Sequence, residues 1–446
     1  MITKLNELYG RQINLSEIDT ALLTDPRLKH RPAIKRGHNQ IECQRCGLKT
    51  SIQRAQLPND QFYCPECINL GRMVSNCELG FVDEPNDFSP LEQPLTWTGQ
   101  LTADQLACSN SIIDHFKKRQ PHLLWAVTGA GKTEMLFPGI EWALQNNLRV
   151  AIASPRVDVC IELFPRIQAA FSHTPMILLH GRQTEKYQYS QLTICTTHQL
   201  LRFYRAFDIL IIDEVDSFPY AQDEGLHYAA MNATKKSGTQ LYLTATPSED
   251  LLRRVNNHQL SISYLPLRFH RHLLPQIKLH FAPFWRNKLA KHKLPNRLIQ
   301  MVRDKVAKQQ RFLLFVPHVR DLKPISEIVA MRLDQHVKLM TVHSEDEHRL
   351  EKVAAMRAGE LDFLVTTTIL ERGVTFPGID VIVLGADEEI FSTAALVQIA
   401  GRVGRKQDRP FGDVDFVIHS NAKNVAGAIG QIAHMNRLGA VKIKNG

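Results

Sequence analysis

The chain has 446 residues, 44% hydrophobic and 22% charged, a balance that supports sizeable cores and excludes a disordered protein. Its formal charge of +9 and pI near 9.1 favour an anionic partner, a nucleic acid or a membrane surface. No apolar stretch reaches the roughly 18 residues of a spanning helix, and the opening MITKLNELYGRQ lacks an apolar signal core, so a cytoplasmic location is expected.

Residues 1–90 are irregular and charged, and they end in FVDEPNDFSPLEQP, whose Pro, Asn, Asp and Ser mark a linker. A separate N-terminal module is expected, able to fold apart from a chain beginning near Leu91. Within it Cys43 and Cys46 form one C-x-x-C pair and Cys64 and Cys67 another, with 17 residues between the pairs. That spacing suits a tetrahedral structural Zn²⁺, with the four thiolates as ligands. Four thiolates leave a bound zinc doubly negative, and the basic run from Arg27 to His38 either offsets that charge or tracks a phosphate backbone. Phe62 and Tyr63 either pack around the zinc or stack a base.

From about residue 91 the pattern changes to short apolar runs alternating with amphipathic stretches. HLLWAV, RVAIAS, MILLH, LTIC, FDILIID and QLYLT read as buried strands, the βα rhythm of a parallel sheet covered by helices. Between Pro247 and Pro295 the rhythm lapses, which reads as a connector with some structure of its own. It resumes with RFLLFV, VKLMTV, LDFLVTT, DVIVLG and VDFVIH, and Leu298, Val302 and Val306 share one helical face. The expected fold class is therefore α/β, two RecA-like parallel-sheet lobes (91–275 and 276–446) after a zinc-binding module (1–90).

The first run leads into Ala126, Val127, Thr128, Gly129, Ala130, Gly131, Lys132 and Thr133. A strand delivering the chain to small residues and then to a helix is a phosphate loop: backbone N–H groups cradle phosphate, Lys132 reaches the β- and γ-phosphates of ATP, and Thr133 holds Mg²⁺. Ala126 stands where the usual pattern begins with glycine, and Pro138 inside the helix predicts a kink. About eighty residues on, FDILIIDEVD places Asp213 and Glu214 at a strand end, the first for Mg²⁺ and the second beside the attacking water.

In this order the residues resemble the superfamily 2 helicases and translocases over about residues 95–420. The resemblance makes Gln105 in LTADQ an adenine reader. It makes Pro155 and Arg156 in SPRVDV, with Thr196, Thr197 and Thr367, contacts to a nucleic-acid backbone. Thr244, Ala245 and Thr246 would link hydrolysis to lobe movement, Arg372 and Gly373 in TTTILERGV would lie near nucleotide, and Arg402 and Arg405 in QIAGRVGR would act on the γ-phosphate. Dividing Lys132 and Asp213 from Arg402 and Arg405 in this way would let ATP couple the two lobes.

The four-cysteine site ahead of the motor, together with YGRQI, LTADQ, TGAGKTE, RHLLP and LERGVTFPG, resembles the ComFA family of late competence proteins. That resemblance implies an ATPase that draws in single-stranded DNA at the inner face of the cell membrane, with ComFC and the membrane DNA-uptake channel as partners. The alternative is a duplex DNA helicase of replication restart or repair, whose motor residues would be the same. A zinc-bearing nucleic-acid binder with an inactive motor is disfavoured by the full set of hydrolytic residues.

Overall fold

The computed structural model describes residues 1–182, 186–372, 374, 376–406 and 408–444. The chain divides into two compact units. One comprises Met1–Leu124 with Lys132–Tyr264, and the other Leu265–Gly446 with Trp125–Gly131.

A seven-stranded sheet runs through the first unit, built from β1 (His122–Ala126), β2 (Val150–Ser154), β3 (Met176–Leu179), β4 (Leu192–Thr196), β5 (Phe207–Asp213), β6 (Thr234–Thr244) and β7 (Ser261–Leu265). Their order is β3-β4-β2-β5-β6-β1-β7. The pairs β3–β4, β4–β2, β2–β5 and β5–β6 are parallel. β1, β2 and β4 are buried at every position, as continuous apolar runs covered on both faces must be. Helix Lys132–Gln145 continues unbroken through Pro138.

The second unit carries β8 (Ile277–Phe281), β9 (Phe312–Phe315), β10 (Leu339–Val342), β11 (Phe363–Thr366), β12 (Asp380–Leu384) and β13 (Val414–Ile418), in the order β8-β13-β12-β9-β11-β10. All five pairings are parallel. Helix Asn296–Ala307 buries Leu298 and Val302, with Val306 packed against the same core. β7 and β8 both fall inside the stretch expected to be a connector.

The N-terminal segment packs directly on the first unit's sheet. Gln12 donates to the Leu201 carbonyl at 2.9 Å, and Leu79, Phe203 and Phe207 belong to one apolar core with the four cysteines. At its centre Arg149, fully buried, forms an ion pair with the equally buried Glu84. Its other N–H groups reach the Tyr9 carbonyl, the Ser190 carbonyl and the Tyr187 hydroxyl. Removing one partner of such a pair leaves a buried charge uncompensated. Arg149→Met is therefore expected to destabilise the protein by about 3–5 kcal/mol, read as a lowered urea midpoint; a shift of less than a tenth of that would show the pair to be expendable.

Candidate functional site

β1 ends at Ala126, a fully buried strand residue, which explains why this first loop position needs no glycine. Gly129 and Gly131 take φ of +79° and +73°, a left-handed backbone open to glycine without penalty. The chain then enters the helix at Lys132, so the loop's N–H groups stand at a helix N-terminus, the place where anions bind. Val127 accepts from Ala130 N–H at 3.3 Å and donates to the Leu265 carbonyl at 3.0 Å. Thr128 donates through its hydroxyl to the Gly401 carbonyl at 3.1 Å.

Lys132 Nζ lies 3.6 Å from Asp213 Oδ1, so two residues about eighty positions apart meet at the carboxyl ends of β1 and β5. Thr133 is half-buried one position along the helix. Glu214 follows Asp213 with φ +54° and donates its N–H to Asp213 Oδ1 at 2.9 Å. A non-glycine residue held there costs about 1–3 kcal/mol, strain of the kind concentrated at functional sites. Lysine, threonine and paired carboxylates together suit a magnesium–phosphate ligand: oxygen donors for a hard cation and a positive charge for the phosphate.

Asp216, the last residue of the DEVD stretch, ties this strand end to the next. Its carboxylate accepts from Thr244 Oγ1 at 2.6 Å and from Thr246 Oγ1 at 2.5 Å. Asp216 was not singled out in sequence; its signal was its place in DEVD. Gln105 is buried and its side-chain oxygen accepts from Thr102 N–H at 2.9 Å, closing a capping box at the start of helix Ala103–Lys118.

In the second unit, Arg402 is 2% exposed and donates to the Val374 carbonyl, joining the two basic motifs. Arg405 Nε donates to the Gly401 carbonyl at 3.0 Å. Arg268, missed in sequence because it lies in the supposed connector, braces the same turn by donating to the Gly404 carbonyl at 2.7 Å and the Gly401 carbonyl at 3.4 Å. Burial, followed by the neighbouring Arg405 charge, lowers its pKa to about 9. Arg372 is buried beside Glu371, at 3.6 Å. Gly373 lies outside the described residues.

The candidate strand contacts are less exposed than their expected role suggests. Thr196 and Thr197 are 4% and 0% exposed and Thr367 is 8%. Pro155 is buried, and Arg156 is paired with Asp158 at 3.8 Å.

The four cysteines converge as their spacing predicts. Their sulfurs all lie within 4.8 Å of one another, with Cys43–Cys67 at 3.8 Å and Cys46–Cys64 at 3.6 Å. A tetrahedral zinc with Zn–S of about 2.3 Å requires sulfurs about 3.8 Å apart, so the buried set fits Zn²⁺. Hydrogen bonding with Cys43 pushes the Cys46 and Cys64 thiols up, a conflict that a divalent cation would remove. Cys77 stands apart and accepts from Asn14 Nδ2 at 3.2 Å.

Arg45, inside the first C-x-x-C pair, donates to Cys67 Sγ at 3.4 Å and to the Cys67 and Gly71 carbonyls at 2.9 and 2.6 Å. It is this arginine that sits on the sulfur cluster. From the basic run, Arg31 instead reaches Gln12 and the Gln44 carbonyl and lies over the Tyr204 ring. Phe62 is 2% exposed and packs with Ile34, Ile41 and Ala55.

Three family models match in chain order: the competence protein ComFA N-terminal domain over residues 5–81, the type III restriction enzyme res subunit over 98–249, and the helicase conserved C-terminal domain over 293–407. Competence protein ComFA of Bacillus subtilis is 42% identical across 90% of this chain and 87% of its own length. The Streptococcus pneumoniae ComFA is 39% identical across 91% and 93%. The chain belongs to the ComFA family. Its fold is also that of Saccharomyces cerevisiae Dbp5 bound to RNA and ADP BeF3, with TM-score 0.51 and 14% identity over 75% of this chain and 91% of that one. ComFA membership and the two helicase domains make it an ATP-hydrolysing superfamily 2 enzyme connected with competence, and ATP with Mg²⁺ its nucleotide cofactor. No helix among the described residues is long and apolar enough to cross a membrane.

Proposed function

We propose that the protein is an ATP-driven translocase of single-stranded DNA that powers uptake of transforming DNA in natural competence. The observation that carries this reading is the meeting of Lys132 with Asp213 at 3.6 Å in a chain of this family, backed by an excess positive charge of +9.

Lys132 and the loop N–H groups from Thr128 to Gly131 would bind the phosphates, and Gln105 would read the adenine. Thr133 and Asp213 would hold Mg²⁺, which supplies neutralisation of phosphate charge when bound. Glu214 would orient the attacking water and accept its proton. Arg402 and Arg405 would stabilise the charge that develops as the γ-phosphate leaves. The Asp216–Thr244–Thr246 contacts support a link from that step to the chain after β6. Pro155, Arg156, Thr196, Thr197 and Thr367 would touch the DNA backbone. ComFC and the membrane DNA-uptake channel are the proposed partners, which would hold the protein at the inner face of the membrane.

A motor that grips backbone discriminates little between sequences and weakens steeply with salt. ATP turnover should therefore rise several-fold with single-stranded DNA of arbitrary sequence, and much less with blunt duplex. Lys132→Ala should abolish both turnover and uptake of transforming DNA while leaving growth normal. Stimulation by RNA alone, or strand displacement together with a growth defect and normal transformation, would favour the duplex-helicase alternative.

A further inference from the structure

The first unit has a concavity alongside β6 whose lining includes neither Lys132 nor Asp213. It encloses about 500 Å³, within the range of about 300–1,000 Å³ typical of small-ligand sites. Arg205 lies just before β5, Lys235 and Lys236 lie near the start of β6, and Pro121 just precedes β1, while Tyr242 and Arg254 carry the wall along β6 toward its carboxyl end.

The chemistry of this wall is one-sided. Arg205, Lys235, Lys236 and Arg254 line it together with Tyr228 and Tyr242, and no carboxylate does. Only Lys235 has an acidic partner among the described residues, Asp208 at 3.0 Å; Arg254 instead lies over the Tyr242 ring at 5.3 Å. Two further groups in the lining are built into the wall without a partner among the described residues: Asn232 Nδ2 and the hydroxyl of Thr239, the latter 4% exposed. A ligand bearing acceptor oxygens would satisfy these donors. Tyr228 is fixed by the cysteine knuckle, since Gly47, at φ +72°, packs so closely that a β-carbon there would stand 2.3 Å from the ring.

We propose that this cavity binds a nucleotide unit, its phosphate on Arg205 and Lys236 and its base against Tyr228, at a site separate from that of ATP hydrolysis. Cations without acids select an anion, and the half-buried Tyr228 ring offers a surface against which a flat heterocycle can stack. The unit is either a free nucleotide or one residue of a passing strand. The inference goes beyond the translocase reading and stands even if the motor does not translocate.

The test is ultraviolet crosslinking of the full chain to an oligothymidylate carrying one 5-iododeoxyuridine, followed by peptide mapping. Labelled peptides containing Tyr228 are expected, and the double variant Arg205→Glu, Lys236→Glu should lose that label at least tenfold. Both residues are exposed, so the thermal midpoint and the DNA-free ATPase rate should not change. Competition by thymidine monophosphate as strong as that by unlabelled oligomer would identify a free-nucleotide site; competition by the oligomer alone would identify a strand site. Label confined to other peptides, or undiminished in the double variant, overturns the proposal. ATPase stimulation by DNA, measured on the same samples, reports on the translocase reading separately.

Discussion

Arg405→Ala is expected to cut ATP turnover about 10³-fold or more while leaving ATP affinity within about tenfold, the pattern of a charge used mainly in the transition state. Arg405 is held by its own chain, with Nε on the Gly401 carbonyl at 3.0 Å, and Arg268 braces Gly401 and Gly404. Backbone carbonyls at this turn thus help to pre-position its charge. Turnover and nucleotide affinity measured on the same preparation decide the matter. Full turnover would remove Arg405 from the hydrolytic step, whereas an equal loss of affinity would mean that it acts in ground-state binding.

The motor lobes were legible because their strands are simple. FDILIID and FLLF are apolar at nearly every position, and burial on both faces of a parallel sheet is what such runs achieve. The phosphate loop was legible because glycine spacing and a following Lys-Thr carry their own mechanism. By contrast β7 and β8, SISYL and IKLHF, lie at sheet edges with mixed burial, so neither gives a continuous apolar run. Arg268 disappeared with them into the supposed connector.

Long-range polar contacts were the other loss. Arg149 looks like an ordinary charge before a strand, yet its partners Tyr9 and Glu84 stand 140 and 65 positions away. Periodicity reports which face of an element is apolar and says nothing of which distant residue will meet it. The C-x-x-C spacing announced the sulfur cluster, but the surface to which that cluster is fastened was invisible. In sequence residues 1–90 read as a module of their own, and by its contacts the chain from Met1 to Leu124 shares a compact unit with most of the first motor sheet.

That junction alters what removal of zinc should do. In sequence the cysteine module suggests a part that unfolds alone, leaving a chain from Leu91 able to bind ATP. In the structure the four sulfurs share one continuous apolar core with Ala151, Cys195, Leu210 and Ile212 of β2, β4 and β5, and Gly47 and Leu48 press on Tyr228 and Gly225. Zinc binding to small four-ligand modules is worth about 10–16 kcal/mol in apparent free energy, and that energy is folding energy. Cys64→Ser, or chelation of the wild type, is thus expected to release one zinc per chain and to lower the thermal midpoint of the whole first unit. Nucleotide binding at Lys132 should disappear in the same transition. A chain truncated at Leu91 should be less stable still, because it strips Glu84 from Arg149 and the Gln12 bond from Leu201. The measurement follows zinc release with a chromogenic chelator and ATP-analogue fluorescence through one temperature ramp. Coincident curves support a single cooperative unit, whereas nucleotide binding that persists well above the temperature of zinc loss would return the cysteine module to the status of an independent domain.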